Sequence, residues 1–125
     1  AIDPKTGFLN HMRAGWDDAL DQVFGANVPF TMATAWGMEM LSELLKYLDE
    51  EKLTLFAEFS KLIVGKKALK LSVKKKLEIL EEFTNKVDRG FSTKKLKIEK
   101  DLLIEDMLAK ARFLKERKFQ FILKN

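Results

Sequence analysis

One histidine, no cysteine and nineteen carboxylates bound the chemistry open to this 125-residue chain. With His11 as the sole imidazole, Ser-His-Asp relays, multi-histidine zinc sites and the Glu-x-x-His pairs of di-iron bundles all require an arrangement the chain lacks. Cysteine-based zinc, redox and disulfide sites are excluded outright. Carboxylate pairs do occur four residues apart, at Asp17 and Asp21, Glu78 and Glu82, and Asp101 and Glu105. General acid–base work needs one carboxyl in an apolar pocket, so that the two pKa values separate. Each pair here falls among polar residues, which suits a solvated helix face, and Glu78 and Glu82 have Lys74 and Lys86 at helical spacing as partners. The six glycines are scattered singly, so no dinucleotide fingerprint, phosphate loop or Gly-x-Ser-x-Gly elbow is present. These absences predict a protein that is not an enzyme and that carries neither metal nor cofactor.

Two binding chemistries remain. Lys66, Lys67, Lys70, Lys74, Lys75 and Lys76 form the first of three basic clusters, which continue at 94–100 and 110–118. Lysines at neighbouring helix ends suit phosphate contact, so the chain is read, as the alternative, as a nucleic-acid-binding module acting through its basic half. A lysine-rich solvated surface accounts for the same clusters without a ligand. Arginine, which reads guanine edges, is sparse there, and Glu99, Asp101, Glu105, Asp106 and Glu116 interrupt the last expected helix. A helix-turn-helix reader is disfavoured by Lys61, where a small residue is wanted, and by the long connector from Gly65 to Ser72.

The second chemistry is apolar. Phe8, Met12, Trp16, Leu20 and Val23 recur at three- and four-residue spacing, opposite Asp17, Asp18 and Asp21. Trp36 and Met40 stand in a methionine-rich run with Met32 and Met38. Tryptophan and methionine together suit an adaptable groove for an amphipathic partner helix, with ordinary core filling as the plainer alternative. These seven residues, Phe8, Met12, Trp16, Leu20, Val23, Trp36 and Met40, are the expected protein-docking set.

The elements that must position them follow from the apolar stripes. A first helix is expected from Asp3-Pro4 to Gly25. Thr31 caps a second, through Met32, Ala35, Trp36, Met40, Leu41, Leu44, Leu45 and Leu48, with Gly37 weakening its first turn. A third uses Leu53, Phe56, Phe59, Leu62 and Ile63, and Ser72 caps a fourth carrying Val73, Leu77, Leu80, Phe83 and Val87 up to Gly90. The last begins at Ser92, where Leu96, Leu103, Met107, Leu114 and Phe121 lie near one stripe. Leu44, Phe56, Leu80 and Met107 are expected to be buried. The tail 118–124 suits either helix or strand.

The expected fold is therefore all-α, a small antiparallel bundle of four to five helices. Residues 1–31 form an N-terminal helix and connector, read as an appended docking segment because lysine is scarce there, and 32–125 form the bundle. The formal charge of +4 conceals a polarity: residues 1–60 hold 4 basic and 10 acidic side chains, and residues 61–125 hold 19 and 9. Such polarity steers partners and says nothing about fold. The function these features predict is a non-enzymatic helical adaptor or regulatory domain that binds a protein partner through an amphipathic helix docked in an apolar groove. A second copy of the chain is one candidate partner. No apolar run reaches the ~18 residues of a membrane span, and the cytoplasm, or the nucleus of a eukaryotic cell, is the expected compartment.

Overall fold

A computed structural model describes residues 9–11, 25–26 and 28–124 of the chain. A two-residue pair of β1 (Asn10–His11) with β2 (Gly25–Ala26) precedes α1 (Val28–Leu45). An antiparallel ribbon of β3 (Lys52–Phe56) and β4 (Lys95–Glu99) encloses two 3-10 turns, Ala57–Lys61 and Gly65–Leu69, and α2 (Val73–Val87). The long α3 (Lys100–Lys124) follows β4 directly.

Among the described residues, three helices and a two-stranded ribbon replace the expected all-α bundle of four to five helices. The correction falls on the third helix and on the start of the fifth. Lys-Leu-Thr-Leu-Phe and Lys-Leu-Lys-Ile-Glu both alternate with a period of two, and that period prevails over the three-residue spacing of Leu53, Phe56 and Phe59. The register places Leu53 opposite Ile98 and Leu55 opposite Leu96 on one face, and Lys52 opposite Glu99 and Thr54 opposite Lys97 on the other. Lys52 and Glu99 make an ion pair of 3.3 Å there. Two further backbone bonds, Ala57 N–H to Lys94 O at 2.9 Å and Lys100 N–H to Glu51 O at 2.8 Å, extend the ladder at both ends.

The helix expected up to Gly25 does not run through Asn10 and His11, which pair with Ala26 and Gly25 as strand. Phe8 and residues 12–24, with Met12, Trp16, Leu20, Val23 and the three aspartates, lie outside the described residues. α1 begins three residues before Thr31, because Pro29 in its first turn needs no backbone donor. Thr31 is thus a buried helix residue, and its hydroxyl accepts the Leu9 N–H at 3.0 Å. The fourth expected helix is α2, capped by Ser72, whose hydroxyl accepts Lys75 N–H at 3.1 Å. The ambiguous tail is helical through Lys124.

α3 is the axis of the molecule. Ala35 of α1 and Ala111, Phe113 and Leu114 of α3 form the core, with Met38, Leu69 and Val73 packed against it. Because α1 covers one side of α3 and the Gly65–Leu69 turn the other, α3 buries residues as far apart around its circumference as Ile104, Asp106, Met107 and Ala109. A second apolar cluster joins the ribbon to α2: the Phe59 ring lies 5.2 Å from Phe91 and 5.6 Å from Phe83, and Phe56 lies 5.3 Å from Phe91. Of the four residues expected to be buried, Met107 is buried, Leu80 is half-buried, and Leu44 and Phe56 are exposed.

Candidate functional site

α1 is oriented with its small and hydroxyl-bearing residues inward. Thr31, Ala35 and Ser42 are fully buried, and Met38 and Leu45 are half-buried, a four-three-four-three spacing that turns one narrow stripe toward α3. The buried hydroxyl of Ser42 is satisfied by its own helix, donating to Met38 O at 2.7 Å. Small residues hold three of the five positions in the seam, so beyond Met38 and Leu45 the large apolar side chains of the helix turn outward. Trp36 is 60% exposed, Met40 68%, Leu44 63% and Tyr47, in the turn after α1, 84%. Leu41 and Leu48 extend the same outward face. Between these side chains lie Ala33 and Gly37, one turn apart, and nothing stands within 4 Å of where a Gly37 side chain would begin.

On the opposite side of α1, a cavity of about 310 Å³ opens among α1, the 3-10 turns, α2 and α3, lined by Met38, Leu62, Ala68, Leu80 and Phe113 with Lys76 and Lys110 at its polar end. Both ammonium groups are engaged. Lys76 is buried, donates to Leu71 O at 2.5 Å and stands 3.7 Å over the Phe113 ring. Lys110 donates to Leu62 O and to Asp106 Oδ2, each at 2.6 Å. Asp106 Oδ1 accepts Val64 N–H at 2.7 Å and Gly65 N–H at 3.1 Å, so one buried carboxylate holds the chain around Gly65 against α3. Gly65 has φ of +65°, and a Cβ there would stand 2.8 Å from Leu102 Cδ1.

The structure thus separates the expected site residues into groups. Trp36 and Met40 are brought together on the outward face of α1, and the other five docking candidates lie outside the described residues. Lys66, Lys67 and Lys70 on the second 3-10 turn and Lys74 and Lys75 at the start of α2 are exposed, whereas Lys76 points into the molecule. Lys66 faces Glu105 at 3.5 Å and Lys75 faces Glu78 at 3.3 Å. Glu82 pairs with Lys61 rather than Lys86, and that pair holds its carboxyl below the ordinary carboxylate range. The described residues contain no cluster of acidic or imidazole side chains able to hold a metal, and no described helix is long and apolar enough to cross a membrane.

The sequence reading places Leu44 in the core, gives Leu41 and Leu48 as apolar positions of the same helix, and leaves out Tyr47. The signal that finds them is the recurrence of Thr31, Ala35 and Ser42 in one stripe: a helix whose small residues share a face packs on that face and carries its large ones outside. No family model, curated protein or solved structure matches the chain.

Proposed function

We propose that the chain is a non-enzymatic protein-binding domain whose docking element is the outward face of α1. The observation that carries this reading is the inversion of α1, with Trp36, Met40, Leu41, Leu44, Tyr47 and Leu48 in water while alanine, threonine and serine fill the seam with α3. Contiguous apolar surface of this extent marks interaction sites on soluble proteins, and tryptophan and tyrosine are the side chains that most often anchor them. The basic surface offers less to a nucleic acid, since Lys76 is committed to Leu71 and Phe113, and Lys66 and Lys75 face carboxylates of their own chain.

A photoreactive amino acid at Met40 tests the reading in the intact cell. Crosslinked adducts to a defined protein species are expected from position 40 and not from Lys74, which is also exposed, on α2. Equal labelling from both positions, or none from position 40, overturns the docking role of α1.

A further inference from the structure

We infer that the partner seated on the outward face of α1 is a second copy of this chain, the two α1 helices crossing antiparallel about a twofold axis between Met40 and Leu44. The inference rests on the docking reading and names its partner.

Area is the first argument. The exposed parts of Trp36, Met40, Leu41, Leu44, Tyr47 and Leu48 amount to roughly 700–800 Å². The largest apolar patch of an ordinary monomer is ~300–600 Å², and one side of a standard protein interface is ~800 Å².

Shape is the second. A twofold contact is made by one patch meeting itself, so the patch must carry its own projections and its own hollow. The outward face of α1 does. Trp36, Met40, Leu44 and Tyr47 project, while Ala33 and Gly37 leave a shallow notch one turn long with open space above it. An antiparallel crossing centred between Met40 and Leu44 sets Met40 against Leu44 of the second copy and Gly37 against its Tyr47. Glycine in the middle of a helix weakens it, and nothing in the described chain approaches Gly37 closely enough to require its missing side chain. The ring of Tyr47 from a second copy supplies that requirement.

Charge is the third. The acidic residues flanking the face are already balanced within the chain, Glu43 by Lys46 at 2.6 Å and Glu39 by Lys115 of α3. Both lie along one edge of the face and the rest of it holds no charged side chain, so it selects neither a strongly acidic nor a strongly basic partner, and Lys46 offsets the approach of Glu43 to Glu43 of the second copy beside the axis.

Light scattering on the full chain after size exclusion tests this. The expected mass is twice 14.5 kDa. Met40→Glu and Leu44→Lys are each expected to raise the dimer dissociation constant on the order of 100-fold while the far-ultraviolet circular dichroism stays unchanged, because both positions face water in the single chain. Gly37→Leu separates a notch from an idle surface glycine: filling the notch weakens the dimer even though leucine favours the helix. A mass of 14.5 kDa at every concentration up to ~1 mM overturns the inference, as does a dimer that all three variants leave intact. If the chain is monomeric yet position 40 still crosslinks to another protein, the second copy is excluded and the docking role of α1 stands. If it is monomeric and position 40 labels nothing, both readings fall.

Discussion

Asp106 fixes the chain around Gly65 with one carboxylate oxygen, Oδ1, and accepts the Lys110 ammonium, one turn further along α3, on the other. A buried ion pair of this kind is costly to break from one side, because the group left behind keeps its desolvation penalty and loses its partner. Asp106→Ala strands two backbone donors and leaves the Lys110 ammonium with Leu62 O as its protein acceptor, and urea denaturation is expected to report a loss of ~3–5 kcal/mol. Asp106→Asn keeps the shape and one acceptor, and its expected loss is nearer ~1–3 kcal/mol. Equal losses in the two variants would assign the stabilisation to the carboxylate charge, with nothing owed to the shape and acceptor that asparagine keeps. The same scale shows why part of this region was illegible in the sequence. Three consecutive lysines, Lys74, Lys75 and Lys76, look interchangeable in composition, yet helix phase separates them: Lys76 lies three residues after Val73 and four before Leu80, both on the inner side of α2. Lysine can occupy such a position because its methylene stem packs like an aliphatic chain, provided its ammonium finds an acceptor, here Leu71 O. Asp106 gave no such hint, being one more acid in a charged helix until Val64 and Gly65 fold against it.

At the scale of elements, α2 and much of α1 were legible because their signals are local: a serine cap, an apolar stripe and a closing glycine lie within one segment. The ribbon was not, because β3 and β4 stabilise each other across the whole span from Lys52 to Glu99, and a strand read alone competes with helical spacing in its own residues. Alternation gives the ribbon its own test. Ile98 is buried on the inner face and Lys97 is exposed on the outer one. Ile98→Ala is expected to cost ~2–4 kcal/mol and Lys97→Ala less than ~0.5 kcal/mol in the same denaturation experiment; similar costs at the two positions would rule out the register. The turn after β3 is tied to the segment before β4 by Glu58, whose Oε1 accepts Ser92 N–H at 3.0 Å. The Ser92 side chain first, then the backbone amides of Glu58 and Ser92, hold the Glu58 carboxyl below its ordinary range against the opposing effect of burial, with Lys86 adding attraction. A carboxyl depressed by folding binds fewer protons in the folded chain, so its stabilisation is complete above an ordinary glutamate pKa of ~4.3 and disappears as the pH falls through the lower folded value. Glu58→Gln is therefore expected to flatten the acid limb of a stability-against-pH curve below that value. An acid limb as steep as in the parent chain would place the titrating group elsewhere.

For the whole molecule, the polarity of the sequence is partly folded away. α1 belongs to the acidic half and α3 to the basic half, and they pack against each other with Glu39 paired to Lys115 and the Lys100 ammonium on Leu48 O at 2.6 Å. The sequence boundary at residue 31, read as the end of an appended segment, falls inside α1, so the docking face and the core-forming stripe are two sides of one helix. That geometry decides what a truncation can remove. The core residues Ala35, Ala111, Phe113 and Leu114 and the phenylalanine cluster all lie beyond residue 30, while the described links to the preceding chain include the β1–β2 pair, the Leu9 N–H on Thr31 and Leu9 in the lining of the cavity beside Met38. Deleting residues 1–24 removes those links and leaves α1 whole. The shortened chain is expected to keep one cooperative unfolding transition, with a stability loss of ~1–2 kcal/mol for the bonds removed, and to keep the outward face of α1 as its interaction surface. A gradual, non-cooperative melt would make residues 1–24 part of the core and would move the start of the folding unit ahead of α1.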